Sequence, residues 1–179
     1  MGKRSDFDRV PRDLYPTPYK AVLPLLPHLD SGSEFDEPCA GNGALITHLQ
    51  QHGHYCAHAS DIMPQTPIAD GLPRIHTDDA LAIKACASRQ FITNPPWSRP
   101  ILHPLIERLS DIAPTWLLID ADWMHTRQAG EFMPLLRKVV SIGRLKWIPD
   151  SKMTGKDNAI WALFDANGEG PAQFYGRAK

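Results

Sequence analysis

The sequence predicts a single doubly wound α/β domain, with a mostly parallel sheet, helices on both faces and an antiparallel hairpin at the sheet edge. Three observations predict it. Short apolar runs that end on an acid or an amide alternate with helix-length stretches, the pattern of strand–helix–strand units around a parallel sheet. The last two strand-like runs, Val139–Trp147 and Ala159–Phe164, have only a polar loop between them, which suits antiparallel pairing. The 179 residues (20.0 kDa) are the length of one domain. A chain of this mass buries about 70% of the surface it exposes when unfolded, so its core needs no covalent staples.

The elements follow in order. An arm of charged, weakly apolar residues, 1–14, precedes the domain proper at 15–179. Residues 18–27, from Pro18 to Pro27, read as a short helix opened by a proline, whose missing N–H is no loss in a first turn. Ser33–Glu37 is a short strand running into Pro38. Ala40-Gly41-Asn42-Gly43 is a tight turn, and residues 44–52 form a helix that Gly53 closes. Tyr55–Ser60 is the next strand, ending at Asp61. A proline-rich connection leads to a weak strand at Arg74–His76, a helix over Ala80–Ala87, and a strand at Gln90–Thr93 that ends at Asn94. Residues 101–109 look helical, with Pro104 near the start. Thr115–Ile119 is a strongly buried strand ending at Asp120, and a helix follows near Glu131–Leu136. The Trp161/Leu163 alternation marks a half-buried strand.

Composition narrows the setting. Hydrophobic residues make up 42% and charged residues 22%, which excludes disorder over the whole length. Seventeen prolines are about twice the usual share. Spread between apolar runs, they mark many short connections. Cys39, Cys56 and Cys86 show no CxxC spacing, against a disulfide framework or zinc ribbon and for a reducing compartment. No uncharged apolar run approaches the ~18 residues of a membrane span. No apolar signal segment follows the charged N-terminus, so the sequence predicts a cytoplasmic protein without membrane contact. Net charge is −1, with no global basic signature. Residues 28–80, however, carry eight acids against Arg74 alone. Residues 137–156 carry six bases (Arg137, Lys138, Arg144, Lys146, Lys152 and Lys156) against Asp150 alone. That asymmetry is compatible with one polyanion-facing edge or with an ordinary solvated surface.

In open parallel sheets, ligands bind beyond the carboxyl ends of the strands. That rule gathers Glu37–Gly43, Asp61, Asp78, Asp79, Asn94–Trp97 and Asp120 on one rim. In Glu37-Pro-Cys39-Ala40-Gly41-Asn42-Gly43, two glycines let the backbone turn close enough for a ligand to lie against it. The third glycine of a dinucleotide fingerprint is missing, since position 46 is Ile, which speaks against a pyrophosphate ligand. Asp61, 18 residues beyond Gly43, can accept from two ribose hydroxyls; turn and acid together favour a nucleoside without pyrophosphate. Asp79 can accept from an adenine amino group or cap the next helix. Asn94-Pro95-Pro96-Trp97 is the most distinctive segment. The diproline has no N–H to donate and is confined to extended backbone, so its carbonyls stay rigid and free. An Asn carbonyl beside a diproline carbonyl can accept both hydrogens of one planar –NH₂ group, directing the nitrogen lone pair outward. The following Trp offers a flat face for a base or an amide.

On these residues the chain resembles the class I S-adenosylmethionine-dependent methyltransferases of the N6-adenine type. The resemblance runs through Tyr15-Pro-Thr17-Pro18, Glu37–Gly43, Asp61, Asp79-Ala-Leu and Asn94–Trp97. In Arg144-Leu-Lys146-Trp147 and Gly155–Trp161 the chain is similar to small phage- or prophage-borne DNA adenine methyltransferases. The resemblance implies a Rossmann-like sheet of about seven strands and S-adenosyl-L-methionine as cofactor. Tyr15 and Thr17 would close over the methionine end of the cofactor. Glu37 and the turn Cys39, Ala40, Gly41, Asn42, Gly43 would hold its amino and carboxylate region. Asp61 would bind its ribose and Asp79 its adenine. Asn94 and Pro95, with Pro96 and Trp97, would hold and stack the target, with Asn94 also bordering the cofactor. The aromatic is Trp where the family more often has Tyr or Phe.

The reaction expected is methyl transfer to an exocyclic amine, adenine N6 in DNA, with Lys146, Lys152 and Lys156 on the nucleic acid. The chain has no room for a separate target-recognition domain, so weak sequence specificity and single-stranded substrate are expected. A glutamine amide is also planar, which leaves protein glutamine N5-methyl transfer as an alternative. A non-catalytic module binding cofactor or nucleic acid is another. His48, His52, His54 and His58 resemble a metal cluster, but only His48 and His52 share a predicted helix face, so no metal is expected.

Overall fold

The computed structural model describes residues 15–65, 71–148 and 155–177; the expected arm at 1–14 and Lys152 lie outside them. Eight strands form one mixed sheet in the order β3-β2-β1-β4-β5-β7-β6-β8. They are β1 (Glu34–Glu37), β2 (Tyr55–Asp61), β3 (Ile75–Thr77), β4 (Phe91–Thr93), β5 (Thr115–Asp120), β6 (Leu136–Arg144), β7 (Asn158–Phe164) and β8 (Gln173–Tyr175). β1 to β5 are mutually parallel. β7 pairs antiparallel with both β5 and β6, forming the expected hairpin. The sequence reading does not contain β8, which lies beyond the hairpin and runs parallel to β6.

The two faces are read directly from the strand alternation. Trp116 and Leu118 of β5, with Trp161 of β7, point toward α1 (Tyr19–Val22) and α2 (Ala44–Gln50). Leu117, Ile119, Ile160 and Ala162 point the other way, toward α3 (Arg99–Ile112). α3 buries Leu102, Leu105, Ile106 and Leu109, the i, i+3, i+4, i+7 spacing of one helical stripe. Pro100 stands in its first turn, where no N–H is missed, and Pro104 lies inside it. Trp161 is fully buried, and its indole N–H donates to the Ala21 carbonyl at 2.7 Å, tying β7 to α1.

Three predicted helices are shorter than expected, each for a local reason. At 18–27, Pro24 and Pro27 leave one turn of α-helix and a 3₁₀ turn at Leu26–His28. At Ala80–Ala87 only Ala80–Ala82 is helical, as a 3₁₀ turn capped by Asp79. Beyond it, the carboxylate of Asp36 accepts from the N–H groups of Ala87 (2.6 Å) and Ser88 (3.1 Å), tying an irregular segment to β1. Near 131–136, Pro134 gives 3₁₀ turns at Arg127–Glu131 and Met133–Leu135, and β6 starts at Leu136. β6 ends at Arg144, short of the expected Trp147.

Candidate functional site: a cavity at the strand switch point

Strand order reverses between β1 and β4, and the crevice beyond their carboxyl ends is where such sheets bind ligands. A cavity of about 460 Å³ opens there. Its walls include Tyr15, Thr17, Glu37, Cys39, Ala40, Gly41, Asn42, Asp61, Asp79, Asn94 and Pro96, so most of the expected ligand-binding residues converge. Gly43 shapes the turn from behind. Its φ is 79°, and a Cβ there would stand 2.3 Å from Leu72 Cδ1, so only glycine fits.

Asp61 organises the turn. Its Oδ2 accepts from Gly41 N–H and its Oδ1 from Met63 N–H, both at 2.8 Å. Gln65 N–H closes the loop on Gly41 O at 2.9 Å. A carboxylate has about four acceptor sites, so Asp61 retains capacity for a ligand while holding both loops. Asp79 likewise accepts from Leu81 N–H at 2.9 Å: the capping role and a place on the cavity wall coexist. Among the described residues, Glu37 is the cavity acid with a buried oxygen left without a partner. It is 1% exposed, its Oε2 has no hydrogen-bond partner, and it lines the cavity. Burial, and then the charge of Asp61, hold its carboxyl well above the usual carboxylate range.

Asn94 follows β4. Its Nδ2 donates to Tyr15 O and to Thr17 Oγ1, each at 3.2 Å. A backbone carbonyl accepts only, so this pair fixes which way the amide faces and leaves Oδ1 as a free-standing acceptor. The strap Tyr15-Pro16-Thr17 is held from its other side by His48 Nε2, 3.1 Å from Thr17 O. Pro95 is buried, and Pro96 lines the cavity. Trp97 does not line the cavity. Its indole N–H donates to Leu118 O at 2.9 Å, and its ring meets Trp147 edge-to-face at 5.4 Å. Trp147 in turn lies 6.3 Å from Tyr15, so three aromatic rings follow one another beside Asn94. Sequence reasoning gave Trp147 no role; the signal was its place at the mouth of the basic loop.

The other predicted residues take the following places. Lys146 and Lys156 are exposed, and Gly155 N–H donates to Leu145 O at 2.7 Å, drawing the two ends of the basic loop together. Asp120 caps a 3₁₀ turn through Asp122 N–H and does not line the cavity; burial, then the charges of Asp157 and Asp122, raise its pKa. Cys39 lines the cavity as a thiol pushed up to about 12 by burial and by Asp61, no nucleophile near neutral pH. The histidines scatter: His48 and His52 pack on Tyr19, His54 bonds Ser33, and His58 stacks on His76. Among the described residues no group of three or more His, Cys, Asp or Glu is arranged to hold a metal. No described helix is long and apolar enough to cross a membrane.

No protein-family model and no curated protein sequence matches this chain. Solved structures do match. One is a "putative RNA methyltransferase" of Pyrococcus horikoshii, at TM-score 0.57 and 16% identity, with 91% of each chain covered. The chain has the methyltransferase fold. Within that fold it is also similar to a dimethyladenosine transferase of Plasmodium falciparum, at TM-score 0.54 and 15% identity, covering 84% of this chain and 62% of that one. A type I restriction-modification methyltransferase subunit of Streptococcus thermophilus gives TM-score 0.54 and 11% identity, covering 86% of this chain and 45% of that one. This chain thus spans less than half of the subunit that shares its methyltransferase fold.

Proposed function

We propose that the protein transfers a methyl group from S-adenosylmethionine to an exocyclic amino group of nucleic acid, adenine N6 in DNA. The observation that carries this reading is the pinned amide of Asn94. With both Nδ2 hydrogens committed to Tyr15 and Thr17, Oδ1 is an acceptor at the edge of the cavity, next to a diproline that can only accept. A planar –NH₂ group is the complement of such a pair.

The cavity fits the cofactor. Glu37 Oε2, buried and unpartnered, suits the ammonium of its methionine end. Asp61 and the Ala40–Gly43 turn suit its ribose and carboxylate region, and Asp79 its adenine. The volume lies within the usual range for small-molecule sites, roughly 300–1,000 Å³. Bound, the cofactor supplies an electrophilic methyl on a sulfonium. The chain's own part is positioning and exclusion of water. Asn94 Oδ1 and the Pro95 carbonyl hold the two amine hydrogens, so the nitrogen lone pair faces the cavity. Trp97, immobilised by Leu118 O and Trp147, gives the target ring a fixed aromatic surface. No covalent intermediate is required, in keeping with the high thiol pKa of Cys39.

Nucleic acid is favoured over protein by Lys146 and Lys156, exposed at the same rim. Dimethyladenosine transferase and restriction-modification neighbours support the same substrate class. Labelled methyl transfer to DNA, RNA and protein in parallel tests the reading. Label in N6-methyladenine of DNA is expected. Label only in protein glutamine replaces this reading, and no label in any acceptor despite cofactor binding leaves a binding module.

A further inference from the structure

The sequence reading assigned phosphate contacts to the 137–156 stretch, but another cation reaches the same rim. β5, β6 and β8 run in one direction, since β7 is antiparallel to the first two and β8 is parallel to β6. Their carboxyl ends therefore open on the rim that bears Asn94 and Trp97. Leaving β8 at Tyr175, the chain reaches Arg177 there.

Arg177 is held in an unusual seat. The β6–β7 register is irregular between Ser141 and Gly143, and Gly143 stands at φ 89°. A Cβ at position 143 would meet Arg177 Nη1 at 3.3 Å, Cζ at 3.4 Å and Nε at 3.5 Å. Three guanidinium atoms at nearly one distance mean that the plane lies flat on the glycine. A side chain at 143 would crowd this face of the guanidinium and would strain the backbone at its positive φ. Lying flat, the guanidinium turns its N–H edge sideways into solvent. Arg177 is exposed and makes no hydrogen bond or ion pair among the described residues. Its neighbours along the rim, Arg144, Lys146 and Lys156, are exposed too. From Gly143 to Trp147 is four residues, about 13 Å at most along an extended chain. One nucleic-acid strand can therefore reach from the guanidinium to the Trp97–Trp147 ring pair.

We propose that Arg177, seated on Gly143, is a backbone clamp. Its guanidinium takes a phosphate of the strand whose base is presented at Asn94–Trp97, in line with Arg144, Lys146 and Lys156. A planar fork already fixed in orientation binds two phosphate oxygens with little further ordering, which a lysine cannot do. The proposal rests on the nucleic-acid reading and extends it to an element, β8, that the sequence reading lacks. Phosphate contacts set register without reading sequence, so the clamp should act equally on all sequences.

The test is oligonucleotide binding by fluorescence anisotropy between 50 and 200 mM salt, on single strands and duplex, with cofactor affinity measured by calorimetry as a control. Four contacts on duplex give a log–log slope near −3.6, a loss of about 150-fold across that range; three give about −2.7 and about 40-fold. Arg177→Ala is expected to flatten the slope by about 0.9 on duplex and about 0.7 on single strands. Arg177→Lys should restore the slope, and neither should move cofactor affinity. A steep parent slope that Arg177→Ala leaves unchanged overturns the clamp alone. A parent slope that is already flat overturns the nucleic-acid reading, and the clamp with it.

Discussion

Replacing Glu37 with Gln tests the charge state of the cavity floor. Glu37 is 1% exposed with Oε2 unpartnered, and burial followed by the charge of Asp61 raises its pKa. Between the unfolded carboxylate value of about 4.3 and that raised folded value, the folded chain binds the proton and the unfolded chain has lost it. Stability therefore falls as pH rises through this window, by about 1.4 kcal/mol per pH unit for one proton. Gln occupies the same space and cannot ionise, so the variant is spared that loss. For a chain of this length 1 kcal/mol moves Tm by roughly 2–4 °C. The Tm advantage of Glu37→Gln should thus grow by about 3–5 °C per pH unit above about pH 4.5, then level off where Glu37 ionises in the folded protein. Calorimetric scans of both proteins without ligand, from about pH 4.5 to about pH 8, read this directly. A Tm difference that stays constant with pH would refute the reasoning. With S-adenosylmethionine present the gap should narrow near neutral pH. A docked ammonium stabilises the Glu37 carboxylate, and losing that charged bond costs roughly ten- to a hundredfold in affinity.

Asn94→Ala should abolish methyl transfer. Because Asn94 also holds the Tyr15–Thr17 strap through two neutral hydrogen bonds worth about 1 kcal/mol each, cofactor affinity should drop by up to about thirtyfold as well; wild-type turnover in the variant would remove Asn94 from the site. Asp61→Ala releases the N–H groups of Gly41 and Met63 as well as any ligand hydroxyl, so it should weaken the cofactor by at least ten- to a hundredfold and lower Tm by several degrees. Titration calorimetry and a melt check both parts, and unchanged affinity would dismiss Asp61 as a ligand residue. The three thiols are raised by burial, Cys39 and Cys56 to about 12 and Cys86 to about 11. They should alkylate orders of magnitude more slowly at pH 8 than free cysteine, of pKa about 8.5, and at the ordinary rate in denaturant. Native labelling as fast as free cysteine would contradict the burial argument.

Much of this architecture was legible because its signals are local. Strands from Glu34 to Phe164 announced themselves by apolar runs ending on acids or amides, and Asn94-Pro95-Pro96-Trp97 by backbone chemistry that no neighbour can alter. What escaped was set by partners distant in sequence. The stretch 80–87 has helix-forming residues, yet Asp36, about fifty positions away, captures the N–H groups of Ala87 and Ser88 and ties the end of that stretch to β1. β8 carries three exposed residues and no apolar alternation, so nothing within it marks a strand; pairing with β6 makes it one. Trp97 read as a free stacking platform, and its anchorage by Leu118 O and Trp147 depends on strands that meet only in the folded sheet. Asp61 and Asp79 each showed two possible uses in the sequence, scaffold or ligand contact, and each sits in the fold where both can operate.

The bond from the Trp161 indole to the Ala21 carbonyl spans 140 residues and has a consequence for biosynthesis. At about 5–20 residues per second, roughly 7–28 s separate the emergence of its two ends. During that interval β1 to β5 can already pair with one another. β7, which lies between β5 and β6, is still missing. α1 therefore waits for this bond, while the Tyr15–Thr17 strap can already meet His48 and Asn94. The cavity wall, from Tyr15 to Leu105, can thus assemble before α1 receives its indole donor from β7.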